Sequence, residues 1–395
     1  MSDYNINALA IPLFLVFMLL EYALLHLKGQ KRHRLNDSVA SLSMGMLLLI
    51  SDALLKAYTF AVFIYLFDQH RLFDFSPYAP ITWLLFFFAV DLCYYWFHRC
   101  AHQFNFLWGA HVGHHQSEEY NLTTALRQSA FQYAFSWVFY LPLALLGCPP
   151  QVFLILFILL KLYQFWLHTQ LIDKIPYIEG ILSTPSSHRV HHAKNPVYID
   201  KNYGGTLVIW DRLFGSWQAE LSSEPCHYGT SLPLKTLNPV KANLQHWWML
   251  AKDTAATDSL TDKFRLWFKP TGWRPQDCRD RETAQPVPLQ KTGCGMRKKY
   301  DPQTSLVIKS YVACSMLILF YLCFCFILLS PTLSAGVLLP GAALIITGLV
   351  CANGLLENKL GYLAVESLRL PLTLYFSAGL WTPLMLAFAQ VFPVL

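Results

Sequence analysis

Nine of the fourteen histidines fall between positions 98 and 192, grouped as His98-x3-His102, His111-x2-His114-His115, His168 and His188-x2-His191-His192. Side chains three or four positions apart share a helix face, so each group can aim two or three ring nitrogens at one point. Imidazole is the commonest metal-ligating side chain, and these groups are separated by apolar stretches rather than spread over a polar surface. One tetrahedral zinc takes four ligands. The chain offers eight or nine, which argues for two metal ions. If the groups adjoin membrane-spanning segments, the nearest substrates are lipid chains, whose unactivated C–H bonds call for O2 and a redox metal, so the expected ions are iron. Two other readings stand beside this one: a zinc-dependent membrane hydrolase, and interfacial histidines that hold no metal.

The elements that must carry these groups belong to a membrane protein. Of 395 residues, 54% are hydrophobic and 14% charged, where a soluble domain carries about 25% charged residues. The net charge is +6, but the basic residues sit in short clusters beside apolar runs, as orientation in a bilayer requires, and form no stripe for nucleic acid. The ten cysteines are scattered without a CxxC and read as reduced core residues. The first apolar run, Ala8 to Leu27, lacks a small-residue cleavage site before its basic flank and reads as a retained anchor.

A helix needs about 20 apolar residues to cross the hydrocarbon, and candidate spans lie at 8–28, 38–67, 78–98, 130–147, 151–167, 305–330, 333–353 and 368–393. The pair 130–147 and 151–167 is short and split by Cys148-Pro149-Pro150, which predicts a hairpin returning to the side it came from. Basic residues follow the first span (Lys28 to Arg34) and precede the sixth (Lys298-Lys299), so both flanks are expected in the cytoplasm with the N-terminus outside. Counting spans from there places every histidine group at the cytoplasmic boundary.

The expected fold is an all-α polytopic membrane helix bundle with a cytosolic histidine-rich cap over a di-iron site. It divides into N-terminal transmembrane helices (1–77), a catalytic unit with the histidine groups and cap (78–300) and C-terminal transmembrane helices (301–395). Within the cap, Asn195 to Trp217 mixes aromatics with Gly204-Gly205 and reads as an interfacial helix with glycine hinges or a helix packed on the cap. Residues 253–300 show no periodicity and read as surface loops or partial disorder.

Ionisable residues inside spans are costly and mark sites or pairs. Asp52 and Lys56, four apart, neutralise one another, and Glu21 and Lys161 are each costly inside their spans. Asp91 lies seven residues before His98 and either orients a ligand imidazole or makes an interhelical hydrogen bond. Asn121, Arg127 and Gln128 either support the ligands or cap and pack a helix, while His227 and His246 stand outside the groups and read as surface residues.

Together the histidine groups resemble those of the membrane fatty acid hydroxylase and sterol desaturase superfamily, whose members hold a di-iron centre. Within it, Tyr94-Tyr95-Trp96-Phe97-His98-Arg99, the run Glu118 to Ser129 (EEYNLTTALRQS), His168-Thr169-Gln170, Thr184-Pro185 and Ile199 to Gly215 are similar to the alkylglycerol monooxygenases, over roughly residues 80–275. The resemblance implies tetrahydrobiopterin-dependent hydroxylation of the carbon beside an ether oxygen, with collapse to an aldehyde and a glycerol derivative. It implies a membrane lipid substrate, O2 and an external reductant. Two positions depart from the family pattern. Gln103 stands where the family has glutamate, so a carboxylate beside His102 is missing or moved, and Ser187 stands where it tends to have histidine. The alternatives are a sterol or fatty acyl hydroxylase or desaturase fed by an electron-transfer protein, and a metal transporter. A transporter would place its ligands mid-bilayer along a pathway rather than at one boundary.

Overall fold

In hydrocarbon a chain must satisfy its own main-chain hydrogen bonds, so long apolar runs fold as helices. A computed structural model describes residues 10–30, 32–282 and 298–391. Its helices are α1 (Ala10–Leu27), α2 (Leu35–His70), α3 (Pro80–Gln103), α4 (Asn105–Gly109), α5 (Val112–His115), α6 (Leu122–Leu126), α7 (Gln132–Ser136), α8 (Leu141–Leu146) and α9 (Pro150–Trp166). There follow α10 (Pro185–His192), α11 (Ile209–Leu213), α12 (Pro239–Ala256), α13 (Leu260–Phe268), α14 (Gln276–Glu282), α15 (Leu306–Leu329), α16 (Ala335–Leu356) and α17 (Tyr362–Val391). Among the described residues β-pairing is limited to isolated bridges such as Phe104 with Pro270. The fold is all-α.

Among the described residues six helices are long and apolar enough to cross a membrane: α1, α2, α3, α15, α16 and α17. Residues 132–146 and 150–166 form two shorter apolar segments. Gly147, at φ 94, separates them before Pro149 and Pro150 restart the chain as α9. A Cβ at Gly147 would lie 1.9 Å from the carbonyl oxygen of Phe73, so only glycine lets this turn rest on the α2–α3 connection. The turn therefore sits at the end of the bundle remote from the histidines.

Two apolar cores flank α2. One joins it to α15, α16 and α17 through Met46, Ile50, Leu319, Phe326, Leu349 and Leu384. The other packs its far half on α3, α8 and α9 through Phe63, Phe86, Val90, Tyr140 and Leu156. At the opposite end, Arg34 lies 2.5 Å and Lys299 2.7 Å from the Glu119 carboxylate, and Asn36 donates to Asp301 at 2.7 Å. These contacts gather both basic flanks at the end that carries His98 and His102. Glu21, inside α1, accepts from Leu122 N–H (2.7 Å) and Thr169 Oγ1–H (2.6 Å), so this intramembrane carboxylate ties α1 to loops beside the histidines. Asp52 is described, whereas the Lys56 side chain lies outside the described residues.

Two expectations about irregular segments are corrected. Asn195 to Trp217 is largely non-helical: only α11 is helical, and Tyr198, Tyr203, Val208 and Asp211 are buried. Left-handed backbone at Asp200 (φ 58) and Asn202 (φ 56) stops a continuous helix, and the Asp211 carboxylate folds the chain back by accepting from Tyr203 N–H and Gly204 N–H at 2.7 Å each. The region after residue 253 contains the end of α12 and all of α13 and α14. Ser259 caps α13 by accepting from Asp262 N–H, a local signal that outweighed the charged composition. Residues 283–297 of that region lie outside the described residues.

Candidate metal centre

Four pieces of backbone deliver the nine histidines. The last turns of α3 present His98 and His102 on one face, four residues apart. The single turn α5 carries His114 and His115, with His111 at its N-cap. His168 follows the C-cap of α9. Helix α10 brings His188, His191 and His192, and starts where it does because Thr184 accepts from Ser187 N–H, Ser187 Oγ accepts from Thr184 N–H, and Pro185 fills the first turn. Ser187 is thus buried in a capping box.

All nine rings are buried and fall into two groups. His98, His102, His111, His115 and His191 form one, and His114, His168, His188 and His192 the other, with one nitrogen of each within 4.8 Å of the rest of its group. The groups adjoin, since the His115 and His192 rings stack at 4.4 Å.

The outward nitrogens settle the proton positions. The Nδ1 atoms of His98, His114, His168 and His191 lie 2.8, 2.8, 2.9 and 2.9 Å from the main-chain carbonyls of Tyr203, Arg127, Gln164 and Lys201. A carbonyl only accepts, so each Nδ1 carries the proton and each Nε2 presents a lone pair. Yet Nε2 of His114 and Nε2 of His168 are 3.3 Å apart. Two lone pairs facing at that distance repel unless a cation lies between them. Nε2 of His102, His191 and His192 and Nδ1 of His188 are buried with no hydrogen-bond partner, an arrangement polar atoms avoid. The donor set therefore fits metal ions. A group of five imidazoles exceeds what tetrahedral zinc takes and suits an ion of higher coordination such as iron.

Burial depresses these pKa values, His191 to about 4 by burial alone; neighbouring rings add to it for the others, His111 and His168 falling to about 3 and His114, His115, His188 and His192 well below the usual value. The rings are neutral, the state a metal requires. A native pKa below the unfolded one makes the unfolded chain the better proton binder, so stability present above about pH 6.5 is lost as pH falls. Urea melts of metal-stripped protein should show lower midpoints at pH 5 than at pH 7.5. Equal midpoints would contradict the buried neutral cluster.

The remaining candidates separate by position. Arg127 offers its carbonyl to His114, and its Nε donates to Gly113 O at 2.8 Å. Gln128 Nε2 is 3.1 Å from the same His114 Nδ1. Asn121 is a helix cap: its side chain accepts from Thr123 N–H and donates to Arg32 O. Asp91 does not bond a histidine; its carboxylate accepts from Thr206 N–H, Leu207 N–H and Trp210 Nε1–H at 2.7, 3.1 and 3.0 Å, holding the loop that offers Tyr203 O to His98. Gln103 is exposed where α3 ends, its carbonyl accepting from Thr271 N–H, because the position after His102 points off the ligand face. Gln103→Glu should leave iron content and turnover within about twofold, as surface substitutions do; a gain beyond that would restore a carboxylate role there. His227 and His246 lie outside both groups but are half-buried rather than on the surface, and His246 Nε2 donates to Asn105 O at 2.8 Å.

Several contributors escaped the sequence reading. Asp200 Oδ1 lies 3.7 Å from His102 Nδ1, Gln132 Oε1 lies 3.3 Å from His111 Nδ1, and the Tyr203 ring packs on those of His98 and His102 at 5.8 and 5.3 Å. Main-chain carbonyls carry no sequence signal. Asp200 and Tyr203, a few residues beyond the last histidine group, were within reach of a search for nearby polar residues.

The Fatty acid hydroxylase family model matches residues 83–216, the stretch that contains all nine histidines. Alkylglycerol monooxygenase of Homo sapiens is 38% identical over 93% of this chain and 86% of its own length. That of Danio rerio is 37% identical over 91% of this chain and 79% of its own, and that of Xenopus tropicalis 42% over 72% and 62%. No solved structure matches. With similarity running through the spans on both sides of the histidine-bearing segment, the chain belongs to the alkylglycerol monooxygenase family.

Proposed function

We propose that the chain is an O2-dependent lipid monooxygenase that cleaves the ether bond of alkylglycerols. The observation that carries this reading is the pair of buried all-imidazole groups at one end of a membrane-spanning bundle, in a chain 38% identical to an alkylglycerol monooxygenase. His98, His102, His111, His115 and His191 would hold one iron, and His114, His168, His188 and His192 the other. Iron there supplies activation of O2 for attack on an unactivated C–H bond. The carbonyls of Tyr203, Arg127, Gln164 and Lys201 keep the protons on Nδ1 and the lone pairs of Nε2 inward. Burial of the rings excludes water from the centre.

Hydroxylation of the carbon beside the ether oxygen gives a hemiacetal, which collapses to a fatty aldehyde and a glycerol derivative. One oxygen atom enters the lipid and the other leaves as water, so two electrons come from a reductant; the family resemblance makes that tetrahydrobiopterin. Residues 169–300 form a cytosolic cap over the histidine end and the N-terminus lies outside, on the strength of the basic flanks gathered there. Residues 78–300 then act as the catalytic unit between N- and C-terminal transmembrane helices. Cysteine labelling at Ser222 from the external side alone would reverse this orientation.

The direct test is turnover. With O2 and tetrahydrobiopterin, an alkylglycerol should yield fatty aldehyde while its ester analogue, which cannot collapse through the same hemiacetal, should not. Elemental analysis should find two iron ions per chain. One zinc without iron, with activity surviving iron chelation, would overturn the di-iron reading. Oxidation of another lipid driven by a cytochrome or ferredoxin, without pterin turnover, would make the chain a sterol or acyl hydroxylase or desaturase and keep the iron.

A further inference from the structure

Between α3 and α9 lies a cavity of about 340 Å³ whose walls are Phe87 and Val90 on one helix and Leu156, Leu159 and Leu160 on the other. It faces the hydrocarbon side of the bundle: Leu159 is 54% exposed and its neighbours Ile155 and Leu162 are 44% and 41% exposed. Along these apolar walls water has no polar partner, so that part of the cleft favours a hydrocarbon chain.

Its upper end is polar and belongs to the loops of the metal centre. Asp91, Tyr163 and Thr206 line it there. Thr206 N–H donates to Asp91, and Tyr163 donates through its hydroxyl to Ser183 O at 2.6 Å. The loop they pin offers Tyr203 O to His98, and Gln164, next to Tyr163, offers its carbonyl to His168. Gly205 packs against one of the lining residues, Leu160. A Cβ there would come within 2.7 Å of the Tyr94 ring, 2.8 Å of Leu160 and 3.0 Å of the Gln164 side-chain amide, so any side chain would press on Leu160 in the cavity wall.

We propose that this cleft receives the alkyl chain of the lipid substrate, entering sideways from the bilayer with its polar head at the histidine end. The inference rests on the lipid-oxygenase reading and adds the path of the substrate to it. At about 1.5 Å of rise per helical residue, Phe87 lies about 16 Å and Leu156 about 18 Å deeper than His98 and His168. A chain reaching the floor therefore runs the length of an extended lipid tail below the centre. Its head-proximal carbon lies level with the imidazoles, where oxidation beside the head group requires it. Chain length should be sensed deep in the cleft, at Phe87 and Leu159, rather than at the metal ligands.

The test uses the full chain in lipid nanodiscs, with two saturated alkylglycerols, one too short to span the roughly 14 Å from His168 to Leu159 and one long enough to pass it. Leu159→Trp, on the lipid-facing side at that depth, should lower kcat/KM for the long chain by about tenfold while leaving the short one, which does not reach it, within about twofold, as filling a hydrophobic pocket does. Phe87→Ala should shift preference toward longer chains. A separate readout does not need turnover: an amphiphile with a diazirine at its chain end should label peptides around 87–90 and 156–160, and Leu159→Trp should suppress that labelling. Equal losses for both chains, an unchanged length preference in Phe87→Ala, or labelling spread evenly over α15 and α17 as annular lipid gives, would overturn the proposal. If wild-type protein oxidises no alkylglycerol, the functional reading fails on its own, and the labelling still decides whether the cleft takes a chain.

Discussion

His168→Ala should lose iron and turnover together, with activity falling by at least about 10³-fold, the scale on which one member of a cooperating catalytic set acts. His168 is one of only four imidazoles in its group, and its lone pair faces that of His114 at 3.3 Å. Truncation leaves three ligands and a cavity in a buried site. His115→Ala and His191→Ala act on the group of five and should be equally severe in turnover. The controls are His227→Ala and His246→Ala, which lie outside both groups. His246→Ala removes a donor from Asn105 O and should cost about 1 kcal/mol of stability with iron retained. Iron content and single-turnover rates on folded variants check this contrast. Equal tolerance at both sets of positions would leave the clusters without a catalytic role.

Asp211→Ala is the second large expected effect, although Asp211 touches no histidine ring. Its buried carboxylate accepts from Tyr203 N–H, Gly204 N–H and Ser216 Oγ–H at 2.7 Å each. Alanine leaves three donors without their acceptor, at about 1 kcal/mol or more apiece, so a loss of about 3 kcal/mol is expected. The same turn positions Tyr203 O on His98 Nδ1. Iron affinity should fall by about 10- to 100-fold, the range seen when the support of a metal ligand is removed. Asp211→Asn keeps one amide carbonyl acceptor while its NH2 faces the remaining donor, and should fall between wild type and alanine in both readouts. Thermal melting with an iron titration measures the two effects. An unchanged affinity in a destabilised Asp211→Ala would make the residue a scaffold for the loop alone.

The positions of these two residues show what was legible in the chain. His168 stood out because imidazoles beside apolar spans are rare and chemically specific, and the spans themselves were visible because hydrocarbon forces about 20 apolar residues into one helix. The hairpin break was equally legible, since Pro149 and Pro150 cannot continue a helix from 130–147. Asp211 carried no such mark. Its role depends on left-handed turns at Asp200 and Asn202 that return the chain to α3, and isolated left-handed residues other than glycine leave only a weak trace in sequence.

The chain by itself determined the all-helical membrane bundle, the nine imidazoles and their gathering near one boundary, because periodicity, span length and ligand chemistry are local properties. Only the tertiary structure divided those imidazoles into five and four, with His111 and His114, three residues apart, going to different groups. It also turned Gln103 to the surface, made Asn121 a cap, and supplied four of the imidazole partners from main-chain carbonyls. Each of these depends on which way a side chain or a carbonyl points once distant segments meet. Direction in space is set by packing between α3, α9, α10 and the 195–217 loop, and residue spacing along the chain does not encode it.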